Sequence, residues 1–152
     1  METTNNLPSL FRSLRTSCHS PLISTAELER LILHDKALEN DTKGYRESIN
    51  IDRNEARNKK RKLPAICPSI QFRRTGRKLE DFGCATGWLM LDYDHVAEIG
   101  LDEKVELASK SPYSMVVYRT ISGKGLRILL RYERPKGCTL TVTELHHLAV
   151  DK

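Results

Sequence analysis

Two carboxylates at i and i+2, Asp92 and Asp94, close an apolar run that reads Gly87-Trp88-Leu89-Met90-Leu91-Asp92-Tyr93-Asp94-His95. In an extended chain successive side chains alternate between faces, so Trp88, Met90, Asp92 and Asp94 share one face while Leu89, Leu91 and Tyr93 share the other. At a rise of about 3.3 Å per residue the two acids lie roughly 6 to 7 Å apart, close enough to ligate one hard divalent cation or to flank two. Mg²⁺ or Mn²⁺ suits such a pair of oxygen donors. Asp-x-Asp also arises where a strand leaves the core for a polar turn. The apolar run before it narrows that reading, because a strand buried along its length has no structural need of two carboxylates on one face at its carboxyl end.

A second group of residues has the chemistry of an anion cradle. Ser122-Gly123-Lys124-Gly125 supplies two glycines that free backbone N–H groups, a hydroxyl and a cation, and Arg127 follows on the next strand. The spacing is not that of a Walker A loop and no helix opens after it, so a P-loop is excluded. A plain hairpin turn with glycines at positive φ accounts for the tetrapeptide by itself. What raises it to a candidate phosphate site is Arg127, which the alternation allows to project over the sheet toward Asp92 and Asp94. Carboxylates for a metal and cations for a phosphate are the parts that phosphoryl transfer requires.

The net charge of +5 conceals an asymmetry. Between Arg53 and Lys78 stand ten basic residues, Lys59, Lys60, Arg61, Lys62, Arg73, Arg74, Arg77 and Lys78 among them, against the single acid Glu55; the remaining chain carries more acids than bases. A segment of that charge just ahead of an acidic strand is the footprint of a polyanion partner, since neutralising phosphates releases counterions. A solvated basic helix end is the plainer alternative. The neighbouring acids favour nucleic acid, with DNA placed ahead of RNA, although the few aromatic residues form no stacking pair on a strand that would settle the choice.

The elements that must position these residues follow from pattern. Residues 1–23 are polar, contain Pro8 and Pro21, and are expected to form an irregular N-terminal arm. Ser24-Thr25-Ala26-Glu27 is a capping box for an amphipathic helix to about Asn40, and a second, weaker helix is expected over Lys43 to Lys60. A strand over Ala65 to Phe72 is interrupted by Pro68. After Thr75-Gly76-Arg77 and a short segment from Leu79 to Phe82 comes the strand from Trp88 to Asp94, followed by a helix over about Ala97 to Lys110 that Pro112 ends. Strands over Met115 to Ile121 and Leu126 to Glu133 flank the glycine turn, and a final helix begins at Thr143. The first and second of these last three strands, joined through a helix, should run parallel. The fold class is therefore α+β, one domain over 24–152, with the order β-α-β-β-α of a ferredoxin-like or RRM-like split unit whose closing strand is missing.

Composition excludes several classes. No apolar run approaches the roughly 20 residues of a bilayer span, and Met1-Glu2-Thr3-Thr4-Asn5-Asn6 has no signal-peptide character, so a cytoplasmic protein without membrane contact is expected. Cys18, Cys67, Cys84 and Cys138 contain no C-x₂-C pair, which argues against a zinc ribbon and for reduced thiols. His146 and His147 are adjacent in a helix and diverge by about 100°, a poor chelating pair.

Leu63-Pro64-Ala65 with Pro68-Ser69 and Phe72, then Trp88 to His95, then Ser122-Gly123-Lys124-Gly125-Leu126-Arg127 resemble, in that order, the BT4734-like (VirE amino-terminal) domain family of Bacteroidetes mobile-element proteins. The resemblance covers about residues 25 to 152. That family is similar to the archaeo-eukaryotic primase, or primase-polymerase, superfamily. The resemblance implies an RRM-like sheet carrying the site, with Asp92 and Asp94 as the catalytic metal ligands for Mg²⁺ or Mn²⁺. It also implies that Ser122, Lys124 and Arg127 contact the phosphates and sugar of a nucleotide, and that a helicase or primase-associated domain follows in the parent protein. Two departures are visible: Arg127 stands where the superfamily prefers His, and a third acidic motif would lie beyond Lys152. The expected function is a primase-polymerase-like domain that binds nucleic acid and nucleotide through a divalent metal. As an enzyme it would be a nucleotidyltransferase, with turnover not expected of this chain alone. The alternative is a non-catalytic nucleic-acid-binding or interaction module that keeps the fold without the chemistry.

Overall fold

The computed structural model describes residues 6–16, 19–73, 76–94, 96, 100–133, 137–141, 143–144 and 147–148. The expected irregular arm is instead sheet: β1 (Ser9–Phe11) pairs antiparallel with β2 (His19–Leu22). Pro8, Ser9, Phe11 and Ile23 are buried, so the lead-in is part of the core. The polar composition of residues 1–23 hid this, because β1 needs only Leu10 and Phe11 to anchor it and its buried serine is satisfied by donation to Ser9 Oγ from the Phe72 N–H at 3.0 Å.

The helical segment is cut more finely than periodicity suggests. Helix α1 (Thr25–His34) opens on the expected capping box, with Ser24 and Glu27 satisfying one another's backbone N–H groups. It ends at Asp35, whose carboxylate accepts from the Leu38 N–H and so starts α2 (Lys36–Ile49). Asp52 repeats the device, capping α3 (Arg53–Lys60) through the N–H groups of Asn54 and Glu55. Two aspartates therefore convert two expected helices into three.

Pro68 splits the next expected strand in two. β3 (Ala65–Cys67) joins β1 to give the order β2-β1-β3, while β4 (Ile70–Phe72) pairs with β5 (Phe82–Ala85), which follows a 3₁₀ turn over Leu79–Asp81. Then come β6 (Trp88–Tyr93), α4 (Leu101–Ser109), β7 (Ser114–Arg119) and β8 (Leu126–Arg131). Residues 97–99, expected to begin the fourth helix, lie outside the described residues. Thr143, Glu144, His147 and Leu148 are helical, and Thr141 caps them by exchanging hydrogen bonds with Glu144.

β6, β8 and β7 form a three-stranded antiparallel sheet in that order. β6 and β7 point the same way, as a helical crossover requires, but they do not touch: β8 returns between them. One face carries Trp88, Met90 and Asp92 of β6, Arg127 and Leu129 of β8, and Val116 and Tyr118 of β7. Its apolar part packs under Ile23 and Leu28, with Leu129 wholly buried. The opposite face presents Leu89 and Leu126, both buried, on the side left for α4, which lies against β7 and β8. Among the described residues no helix is long and apolar enough to cross a membrane. Cys67, Cys84 and Cys138 are unpaired thiols; Cys18 is outside the described residues. His146 is likewise outside them.

Candidate functional site

The register of the three-stranded sheet sets one row of side chains in line. Asp92 faces Arg127 across β6 and β8, and Arg127 faces Tyr118 across β8 and β7. Directly opposed residues on one face of a sheet are within side-chain reach, and here the Arg127 guanidinium donates to the Asp92 carboxylate at 2.8 Å. Both side chains remain about one-third exposed, at 34% and 33%, so the pair sits at the mouth of the sheet rather than inside it. The Asp92 hydrogen bond, outweighing the desolvation that opposes it, holds the Arg127 guanidinium even more firmly protonated than usual. Burial pushes the Tyr118 phenol up, against the lowering pull of the same guanidinium. Arg127 Nε is buried and makes no hydrogen bond, an unused donor beside this row.

The strand ends at Tyr93, so Asp94 stands one residue past the pleat and exposed. His95 lies outside the described residues. The glycine turn closes on the same end. Thr120 and Gly125 bracket it through the bond from the Thr120 N–H to the Gly125 carbonyl at 2.9 Å, and Gly123 takes φ +77°, which a side chain would strain. Ser122 Oγ pairs with Thr120 Oγ1 and accepts from the Lys124 N–H at 3.3 Å, so it shapes the turn. Gly125 packs against the Tyr93 carbonyl oxygen so closely that a Cβ would fall under 3.0 Å from it. The structure thus brings Asp92, Asp94, Ser122, Lys124 and Arg127 to one end of the sheet.

Sequence reasoning missed Arg46. From α2 its Nε donates to the Ile121 carbonyl at 2.9 Å, and Gly123 lies against its guanidinium, so α2 supports the turn from outside. A lone arginine on the polar side of a helix carries no signal that it reaches residues 75 positions away.

The basic segment is spread over several elements. Lys60, Arg61 and Lys62 are exposed at the end of α3. Lys59 is engaged internally, with Glu55 at 2.8 Å and the Gly44 carbonyl at 3.1 Å. Arg77 donates to the Leu14 carbonyl at 2.7 Å and lies over the Phe11 ring, and Lys78 reaches Glu80 at 3.7 Å. Arg73 is exposed, and Arg74 is outside the described residues. Arg15, beside Leu14, donates to Asn58 of α3 at 3.1 Å, so one strip of chain contacts both α3 and Arg77.

The site motifs and the segment ahead of them match the family described as BT4734-like, N-terminal domain, over residues 58–149. The chain belongs to that family. The match begins within α3, so it takes in the acidic strand, the glycine turn and Arg127 but not α1, α2 or Arg46; it is shorter at its start than the resemblance read from about residue 25. No curated protein and no solved structure matches the chain.

The donor set decides what this family member can hold. Among the described residues no three His, Cys, Asp or Glu side chains cluster as a ready-made metal cage. Two carboxylates at a strand end still fit Mg²⁺ or Mn²⁺, since Mg²⁺ commonly keeps several waters and takes one or two carboxylates with substrate phosphates. Arg127 holds one Asp92 oxygen, Oδ2, and a carboxylate has a second that can ligate, so a cation there would share Asp92 with the guanidinium.

Proposed function

We propose that this BT4734-like chain is a primase-polymerase-like domain of a mobile-element protein that binds nucleic acid and a nucleotide with Mg²⁺ or Mn²⁺. The observation that carries this reading is the row Asp92–Arg127–Tyr118 ending beside the Ser122–Gly125 turn. The split order β6-β8-β7, with a helix between β6 and β7, supports an RRM-like sheet beneath it. Asp92 and Asp94 would hold the cation. When bound, it would neutralise phosphate charge and polarise a phosphoryl oxygen.

Arg127 has two anions to choose between. Without ligand it neutralises Asp92. A nucleotide phosphate at the turn offers the guanidinium a second, bidentate acceptor, and its transfer frees the carboxylate. Ser122 and Lys124 would meet the same phosphates, and Lys60, Arg61 and Lys62 would follow a nucleic-acid backbone. Cation and nucleotide therefore bind cooperatively. Calorimetric titration of Mn²⁺ with and without dATP tests this: binding should strengthen when dATP is present and disappear in the Asp92→Asn/Asp94→Asn double variant. Equal Mn²⁺ uptake by both proteins would sink the metal reading.

The second reading, a non-catalytic nucleic-acid-binding module, is favoured by the ion pair itself, which already satisfies Asp92 without a metal. It predicts nucleic-acid affinity unchanged by EDTA.

A further inference from the structure

A cleft of about 420 Å³ opens between α1–α2 and the sheet row described above. That is within the range of roughly 300–1,000 Å³ typical of small-molecule sites. Its floor is aliphatic, made by residues such as Leu31, Leu38, Leu63, Pro64 and Ile66, with the Tyr118 side chain on the sheet side. Leu31, Ile66 and Tyr118 are only partly buried although they pack on the core, so part of the lining is apolar surface left open. Lys43 and Arg46 line it from α2 and Arg127 from β8, and Glu39 is the acid among the lining residues. Glu39 is already held by Lys36 at 2.9 Å and Lys43 at 2.8 Å. Arg46 spends its Nε on the Ile121 carbonyl, and no carboxylate pairs with its remaining N–H groups among the described residues; Arg127 is paired with Asp92 through one terminal nitrogen.

We infer that this cleft is a nucleoside-phosphate subsite, with the base on the aliphatic floor and the phosphate between Arg46 and Arg127. The inference rests on the nucleotide-binding reading above and adds where the nucleoside goes and that α2, outside the matched family segment, supplies a phosphate ligand. A flat apolar body fits a slot walled by aliphatic side chains and one phenol. Thr42 offers a hydrogen-bond partner that a base edge needs and an acyl chain does not. Arg46 also grips the turn through Ile121, so phosphate bound there couples α2 to Ser122–Gly125.

The test is dAMP binding in EDTA, read by calorimetry on the full chain, with inorganic phosphate and decanoate as comparison ligands. Binding without metal is expected, weakened about tenfold by Arg46→Gln, abolished by Thr42→Trp, which fills the cleft, and unchanged in Glu106→Gln on α4, away from the cleft. Thermal melts confirm that each variant is folded. If dAMP binds only with Mn²⁺, is lost in Asp94→Asn and ignores Thr42→Trp, the cleft is not the subsite, while the metal-dependent reading stands. Phosphate binding as tightly as dAMP, or decanoate binding more tightly, also overturns the nucleoside assignment. Absence of dAMP binding with or without Mn²⁺ removes both readings.

Discussion

Gly125 lies flush against the carbonyl oxygen of Tyr93, so the glycine turn is fixed to the end of β6 by a contact that leaves no room for a Cβ. The oxygen belongs to backbone and cannot swing aside. Gly125→Ala should therefore push the turn off the strand and cost about 1–3 kcal/mol, the usual range for forcing atoms into a packed place. Urea unfolding measures the stability, and dATP affinity should fall in parallel. An alanine variant of wild-type stability and affinity would show that the turn is not held there.

Arg127 and Asp92 answer a different question. Removing the carboxylate leaves a half-buried guanidinium without its charged partner, whereas removing both charges does not. With each side chain about one-third exposed, screening limits Asp92→Ala to a loss of about 1 kcal/mol. The double variant Asp92→Ala/Arg127→Met should recover part of that loss. Urea midpoints of wild type, Asp92→Ala, Arg127→Met and the double variant give the coupling, and strictly additive losses would deny the pair any role in stability.

The core offers a larger effect. Leu129 is wholly buried where β8 passes between β6 and β7, in the cluster with Ile23, Leu28 and Trp88. Leu129→Ala should cost about 2–5 kcal/mol, transfer and cavity together. A loss below that range in urea unfolding would mean that α1 settles onto the sheet and closes the void.

How much of this was legible beforehand follows from the range of each interaction. The strand of Trp88–Tyr93, the Ser24 capping box and the glycine turn were readable because alternation, capping and turn chemistry act within a few residues. The Asp92–Arg127 pair was half readable: alternation put Arg127 on a usable face, but only the register of β8 against β6 sets it opposite Asp92. β1 and β2 were missed because their partners are each other and β3, more than forty residues further on. The breaks at Asp35 and Asp52 were missed for a local reason, since a capping aspartate inside an amphipathic stretch resembles an ordinary polar-face residue. Arg46 and the cleft belong wholly to tertiary structure.

Acid should act through Glu39. Hydrogen bonds from Lys43 and then Lys36 lower its carboxyl from the ordinary 4.5 to about 2. A depressed folded pKa gives stability that is present above the unfolded value and lost as pH falls from 4.5 toward 2. Glu39→Gln should accordingly be less stable than wild type near neutrality and lose less on acidification, so the two melting temperatures converge at low pH. Because Glu39 is exposed to solvent, the difference should also shrink in high salt. Melting curves that stay parallel down to acid pH would rule out the Lys43–Glu39–Lys36 cluster as a contributor.

The exposed bases at the end of α3 make the sharpest prediction for a nucleic-acid partner. Lys60, Arg61 and Lys62 are exposed, whereas Lys59 and Arg77 are tied to Gly44 and Leu14. If the first three meet phosphates, each should release one counterion, and the slope of log affinity against log salt should fall by roughly 0.7–0.9 per residue removed. Lys60→Gln/Arg61→Gln/Lys62→Gln should therefore flatten the slope by about 2–3, on single-stranded and double-stranded DNA alike. Lys59→Gln should mainly lower the melting temperature and leave the slope alone. Fluorescence-anisotropy titrations at several salt concentrations measure both. An unchanged slope in the triple variant would remove the end of α3 from the nucleic-acid surface and leave Arg15, Arg73 and Arg77 to be tested in its place.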